Sequence, residues 1–180
     1  MIVSSILSVI IYISMRTECV HINHVTAPLF VEPGQPLLLV CDYDYQPEEE
    51  SQLDLKWYFN DSPIPVFQWV PSMGKQPQVV SPLFRGMVDT GYKANNNSFK
   101  KHQALHIPHP DHRLSGSYMC KVSSFLDEDF QQSQVTVITY PKEVKLSYLP
   151  SRENKDLVKV ECVVDGAFPE PNINISLKNK

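Results

Sequence analysis

Glycine is scarce in this chain, with 6 in 180 residues against the roughly 7% usual for globular proteins. No glycine run is present of the kind that cradles a phosphate, either as a dinucleotide-binding turn or as a P-loop. Basic clusters are missing as well. Sixteen lysines and arginines face twenty aspartates and glutamates, a formal charge of −4. No Lys/Arg stripe follows a phosphate backbone, which argues against nucleic acid as a partner. Neither a Gly-x-Ser-x-Gly elbow nor a His-Glu-x-x-His helix occurs, so the chain is not expected to be an enzyme or to need a cofactor or a small-molecule substrate. The four cysteines, Cys19, Cys41, Cys120 and Cys162, form no Cys-x-x-Cys, so neither structural zinc nor thioredoxin-like redox chemistry is indicated.

Long apolar runs are also lacking. The stretch from Ile2 to about Ile13, interrupted only by serines, falls short of the roughly 20 residues that cross a bilayer but suits the core of a signal peptide. Residues 1–19 are expected to be that leader. A cut after Cys19 places the small residues Thr17 and Cys19 where a leader peptidase reads. A buried amino-terminal strand is the plainer alternative. Export, in turn, favours disulfides among the remaining cysteines.

What the chain has in abundance is proline, 15 of 180 residues, punctuating short alternating segments. In "LDLKWYFN" Leu53, Leu55, Trp57 and Phe59 alternate with Asp54, Lys56, Tyr58 and Asn60, the period-2 signature of a half-buried strand. "QPLLLVCDY" offers Leu37, Leu39 and Cys41 on one face, "HQALHIP" offers Leu105 and Ile107, and "GSYMCKV" offers Tyr118, Cys120 and Val122. "VFQWV" (66–70), "FRGMVDTGY" (84–92) and "SQVTVIT" (133–139) complete the set, with no convincing amphipathic helix between them. Short strands at turn-separated intervals predict an antiparallel sandwich or barrel.

The order Cys41, Trp57, Tyr118, Cys120 resembles a variable-type immunoglobulin domain over residues 25–140, with a cysteine in strand B, a core tryptophan in strand C and Tyr-x-Cys in strand F. That resemblance implies an all-β, immunoglobulin-like antiparallel sandwich. It implies that Cys41 and Cys120 bridge the sheets, that Trp57 packs on the bridge, and that the Tyr118 hydroxyl ties the corner before strand F. One departure is Leu114, where many such domains carry an aspartate, so a salt bridge to Arg85 is in doubt. The tail, 141–180, looks like the start of a second such domain. Val158, Val160, Cys162 and Val164 would share a face of one strand, and Ile173, Ile175 and Leu177 would lie on the next. Ending there, the chain reads as a fragment, a truncated isoform or an incomplete gene model, with a genuine short tail as the alternative; the protein is expected to be secreted or held at the extracellular face of the plasma membrane by a tether beyond residue 180.

Candidate functional residues follow from parity. Lys56, Tyr58, Met119 and Lys121 should point out of the sheet that commonly meets the partner in variable-type domains, and tyrosine and methionine are interface-enriched. Phe67 and Trp69 are expected outside beside them, because Trp57 already fills the core; the competing placement folds Trp69 over the sandwich edge as cover. Phe125 and Phe130 in "SFLDEDF" sit in the loop between strands F and G. Asn60, Asn96 and Asn174 head N-x-Ser sequons. His102, His106, His109 and His112 form the one metal-like cluster, and Asp127, Glu128 and Asp129 the one acidic cluster, but solvated strand and turn residues account for both and no metal site is expected. The run "LKWYFN…PVFQWVP…LSGSYMCKVS" is similar to arthropod proteins of the beaten-path type, which implies cell-surface or secreted recognition of another protein ectodomain, of immunoglobulin type, in neural wiring. The alternative is a soluble immune-type protein binding a ligand or metal.

Overall fold

The computed structural model describes residues 19–150 and 158–176. All of the expected leader but Cys19 therefore lies outside the described residues. Among them helical structure is confined to 3-10 turns, and three of the four, Pro47–Gln52, Pro71–Met73 and Pro82–Phe84, open on a proline. Proline's fixed φ and missing N–H suit that first position.

Two sheets face each other. One has three strands in the order β1 (His21–Thr26), β3 (Leu37–Asp44), β7 (Ala104–Ile107). The other has six, in the order β2 (Phe30–Val31), β9 (Glu128–Val137), β8 (Gly116–Ser123), β4 (Asp54–Phe59), β5 (Phe67–Trp69), β6 (Gln78–Val79). Every pairing is antiparallel except β2 with β9. This is the immunoglobulin-like sandwich, and its core is the alternate residues of the facing strands: Leu37, Leu39, Cys41 and Tyr43 from β3, Leu55, Trp57 and Phe59 from β4, and Tyr118, Cys120 and Val122 from β8 are all buried.

Cys41 and Cys120 are joined, stapling β3 of one sheet to β8 of the other. Trp57 lies directly opposite Cys120 in the β4–β8 register, so the indole and the disulfide share one layer of the core. Its Nε1 is buried without an acceptor among the described residues, so Trp57 acts there by packing alone. The Tyr118 hydroxyl donates to the Leu114 carbonyl at 2.7 Å, and burial pushes that phenol's pKa up. A backbone carbonyl closes this corner whatever the side chain, and the Leu114 side chain is itself buried in the core. Arg113, not Arg85, takes a carboxylate nearby, that of Asp111 at 2.7 Å.

The strand expected at 84–92 does not form. Phe84 is thrown into the core by its 3-10 turn, edge-on to Phe59 at 5.2 Å, and Gly86 then takes a left-handed φ of 78°. Beyond it Asp89, Asn95 and Asn97 accept the backbone N–H groups of Gly91, Asn97 and Phe99. Side chains that satisfy the local backbone in this way compete with a sheet ladder.

After the sandwich, β10 (Glu143–Pro150) and β11 (Val158–Asp165) form an antiparallel pair in continuous register. Val160, Cys162 and Val164 are half-buried on one side of β11, while Val158 is exposed. The strand expected around Ile173 and Ile175 is not formed through residue 176, where the chain has no ladder partner, and Leu177 lies outside the described residues. Among the described residues no helix is long and apolar enough to cross a membrane.

Candidate functional site

The outward face of the six-stranded sheet is assembled by register. Directly opposed residues of antiparallel strands point to the same side, so Gln78, Gln68, Lys56, Lys121 and Phe130 line up across β6, β5, β4, β8 and β9. A second row joins Tyr58, Met119 and Gln132. Lys56, Tyr58, Met119 and Lys121 are each half-buried at the foot of this face, as parity predicts. Phe130 is 61% exposed. It belongs to β9 and not to the loop, because that strand begins at Glu128.

Lys56 and Lys121 oppose one another, which would be repulsive if they stood alone. Each has its own acid: Lys56 Nζ lies 2.6 Å from Asp54 Oδ2, and Lys121 Nζ lies 2.7 Å from Glu128 Oε2. Gln68 Nε2 donates to both Asp54 oxygens at 3.0 Å. The face is thus a charge-balanced platform around a Tyr58–Met119 centre, with Phe130 standing clear at one side.

Phe67 and Trp69 are not part of it. They are 1% and 3% exposed, because Phe67 is registered opposite Trp57 and Trp69 opposite Leu55, both inward positions. The Trp69 indole donates to the Lys75 carbonyl at 3.3 Å and meets His102 edge-on at 5.2 Å. The residue that β5 does show to solvent is Gln68, which sequence reasoning passed over for want of an aromatic signal.

The histidines are scattered. His102 is buried with Nδ1 2.8 Å from the Tyr92 carbonyl, so that nitrogen carries the hydrogen. His106 Nδ1 lies 3.2 Å from Asp89 Oδ2 with its ring against Tyr92. His109 and His112 are exposed. Among the described residues no group of three or more His, Cys, Asp or Glu is placed to hold a metal. The acidic cluster is likewise dispersed: Glu128 pairs with Lys121, and Asp129 accepts from Ile22 N at 2.8 Å and lies 2.9 Å from His21 Nδ1. Asn60, Asn96 and Asn174 are all exposed. Asn60 also has a structural duty, since its Oδ1 accepts from Ser117 N at 2.8 Å and holds the end of β4 to the start of β8.

No protein-family model matches the chain, and no curated protein matches it in sequence. Among solved structures it is similar to bovine butyrophilin, at 19% identity over 82% of this chain and 68% of that one, with a TM-score of 0.61. It is similar also to the amphioxus IgVJ-C2 molecule, at 20% identity over 78% of this chain and 71% of that one, with a TM-score of 0.55. At such identities the likeness is one of fold. The chain carries the immunoglobulin fold, and its neighbours in structure space are immunoglobulin-domain proteins.

Proposed function

We propose that this is an extracellular recognition protein, secreted or held at the cell surface, that binds another immunoglobulin-type ectodomain through the sheet face centred on Tyr58 and Met119. The observation that carries this reading is the two-row platform: residues of interface-enriched type lie across strands β4, β8 and β9, with their neighbouring charges already compensated. Lys56 and Lys121 would orient the partner, and Phe130 would add apolar contact. Residues 1–19 serve as the leader, Asn96 in its exposed loop is the best placed of the three sequon asparagines to carry a glycan, and 141–180 begins a second domain, by which a membrane tether would be attached. The likeness to bovine butyrophilin covers 82% of the chain, more than residues 25–140 supply, which supports that second unit. A role in neural wiring rests on the resemblance to beaten-path-type proteins.

The test is a binding screen of the purified protein against immunoglobulin-type ectodomains, repeated with Tyr58→Asp and Met119→Asp. Each substitution is expected to weaken the Kd at least tenfold while leaving Tm within about 2 °C, since the side chains are only half-buried. Unchanged affinity in both would move the binding site to the loops around Phe125.

A further inference from the structure

Glu49, in the 3-10 turn Pro47–Gln52, is 0% exposed and is the only acidic side chain buried among the described residues. Its Oε2 accepts from Gln46 N at 2.9 Å, and its Oε1 accepts from Ser124 Oγ at 2.6 Å and from Val20 N at 3.2 Å. Burial pushes this carboxyl up, but the hydrogen bonds from Gln46, Ser124 and Val20 together hold it below the ordinary carboxylate range. It is therefore an anion. Those three donors are neutral, and the ion pairs among the described residues leave Glu49 out. A buried charge without a counter-charge is costly.

Among the described residues no cation meets it, and the amino terminus of a processed chain would supply one. Val20 is itself buried, and the residues after it are sewn in place: Ile22 N donates to Asp129 at 2.8 Å, and Ile22 O accepts from Gln131 Nε2 at 2.8 Å. Val20 lines a cleft of about 380 Å³ whose walls include His21, Asp127 and Asp44, the last already paired with Lys100 at 2.8 Å. We propose that Glu49 is the receptor for the α-ammonium group of a chain cut between Cys19 and Val20. Hydrolysis of that amide by water leaves a carboxylate on Cys19 and a free amine on Val20. With an ordinary pKa near 8, the amine takes a proton from solvent. The ammonium then stands where Val20 N already stands, donating one hydrogen to Glu49 and turning the others to the cleft, where Asp127 and water can accept them. Processing thereby gives a buried anion that has no cationic partner among the described residues an ion pair. A cut one residue earlier or later displaces the charge by about 3.8 Å along the chain, so the fold rewards one cleavage site. This inference rests on the leader that the proposed function also assumes, and not on the partner-binding face: an amino terminus found elsewhere leaves the binding face standing, and a failed binding screen leaves this inference standing.

The protein should be secreted with its own leader and its amino terminus read by mass spectrometry and sequencing. Val20 as the first residue is expected, and a main product beginning elsewhere overturns the proposal. Glu49→Gln is then compared in two proteins, one starting at Val20 and one carrying an extra Gly-Ser before it. The folding equilibrium constant from urea titration should fall at least tenfold further in the first than in the second; equal losses overturn the proposal. Should Glu49→Gln fail to fold, acylation of the unsubstituted protein by an N-hydroxysuccinimide ester decides. The Val20 amine should react at least tenfold more slowly in the native state than in urea, and equal rates overturn the assignment.

Discussion

At the scale of single residues, His102 is where pH reaches this fold. Burial, and after it the charges of Lys101 and Lys93, hold its pKa below the ordinary imidazole value, although the bond to the Tyr92 carbonyl pulls the other way. The uncharged Trp69 edge gives an imidazolium no carboxylate to meet. Between the lowered folded pKa and about 6.5, the unfolded chain takes up a proton that the folded chain refuses. Stability should therefore decline as pH falls through that window, with a limiting slope of about 1.4 kcal/mol per pH unit from this group. Urea midpoints measured from pH 7.5 to 5 should show the decline, and His102→Gln should flatten it; an unchanged slope would assign the effect elsewhere. Residues of this kind are poorly legible in sequence. In sequence His102 falls in one cluster with His106, yet it precedes β7 and is captured by Trp69 and Tyr92, contacts made through the loop and across the sandwich. Cys41, Trp57, Tyr118 and Cys120 were legible because each lies on a strand whose own alternation declares its inner side.

At the scale of elements, register decided what alternation could not. In "VFQWV" the period-2 pattern is satisfied with either side inward, and only the turn after Asn60, where Asn60 and Asp61 take φ of 47° and 54°, sets Phe67 opposite Trp57. β9 misled in the opposite sense. Its first inward positions, Asp129 and Gln131, are polar, so the strand looked shorter than it is. Both side chains reach across to bond the N–H and the carbonyl of Ile22, clipping β1 to the opposite sheet. Replacing Asp129 and Gln131 by alanine should cost about 1 kcal/mol for each lost bond and speed amide exchange at Ile22 by more than at Trp57, whose amide follows only the loss of global stability. Hydrogen exchange read by NMR checks this, and an unaltered Ile22 rate would mean that the β3 ladder alone holds β1.

At the scale of the whole molecule, one covalent link spans the two sheets. Closing a loop of about 80 residues removes unfolded-state entropy worth roughly 4 to 5 kcal/mol in the chain model, a large part of the 5 to 15 kcal/mol typical of a folded protein. Cys41→Ala with Cys120→Ala should therefore lower unfolding free energy by several kcal/mol, seen as a large drop in urea midpoint; a loss under 1 kcal/mol would show that packing around Trp57 suffices. The turns at 82–101 have a consequence for how copies of this protein coexist. With no fourth strand beside it among the described residues, β7 is an edge, and a bare edge invites a neighbouring chain to add itself and propagate a fibre. Asp89 N already takes the His106 carbonyl at 2.9 Å, and the Asp89 carboxylate sits against the His106 ring. The irregular crossing thus works as a guard rail, occupying the template before another molecule can polymerise upon it.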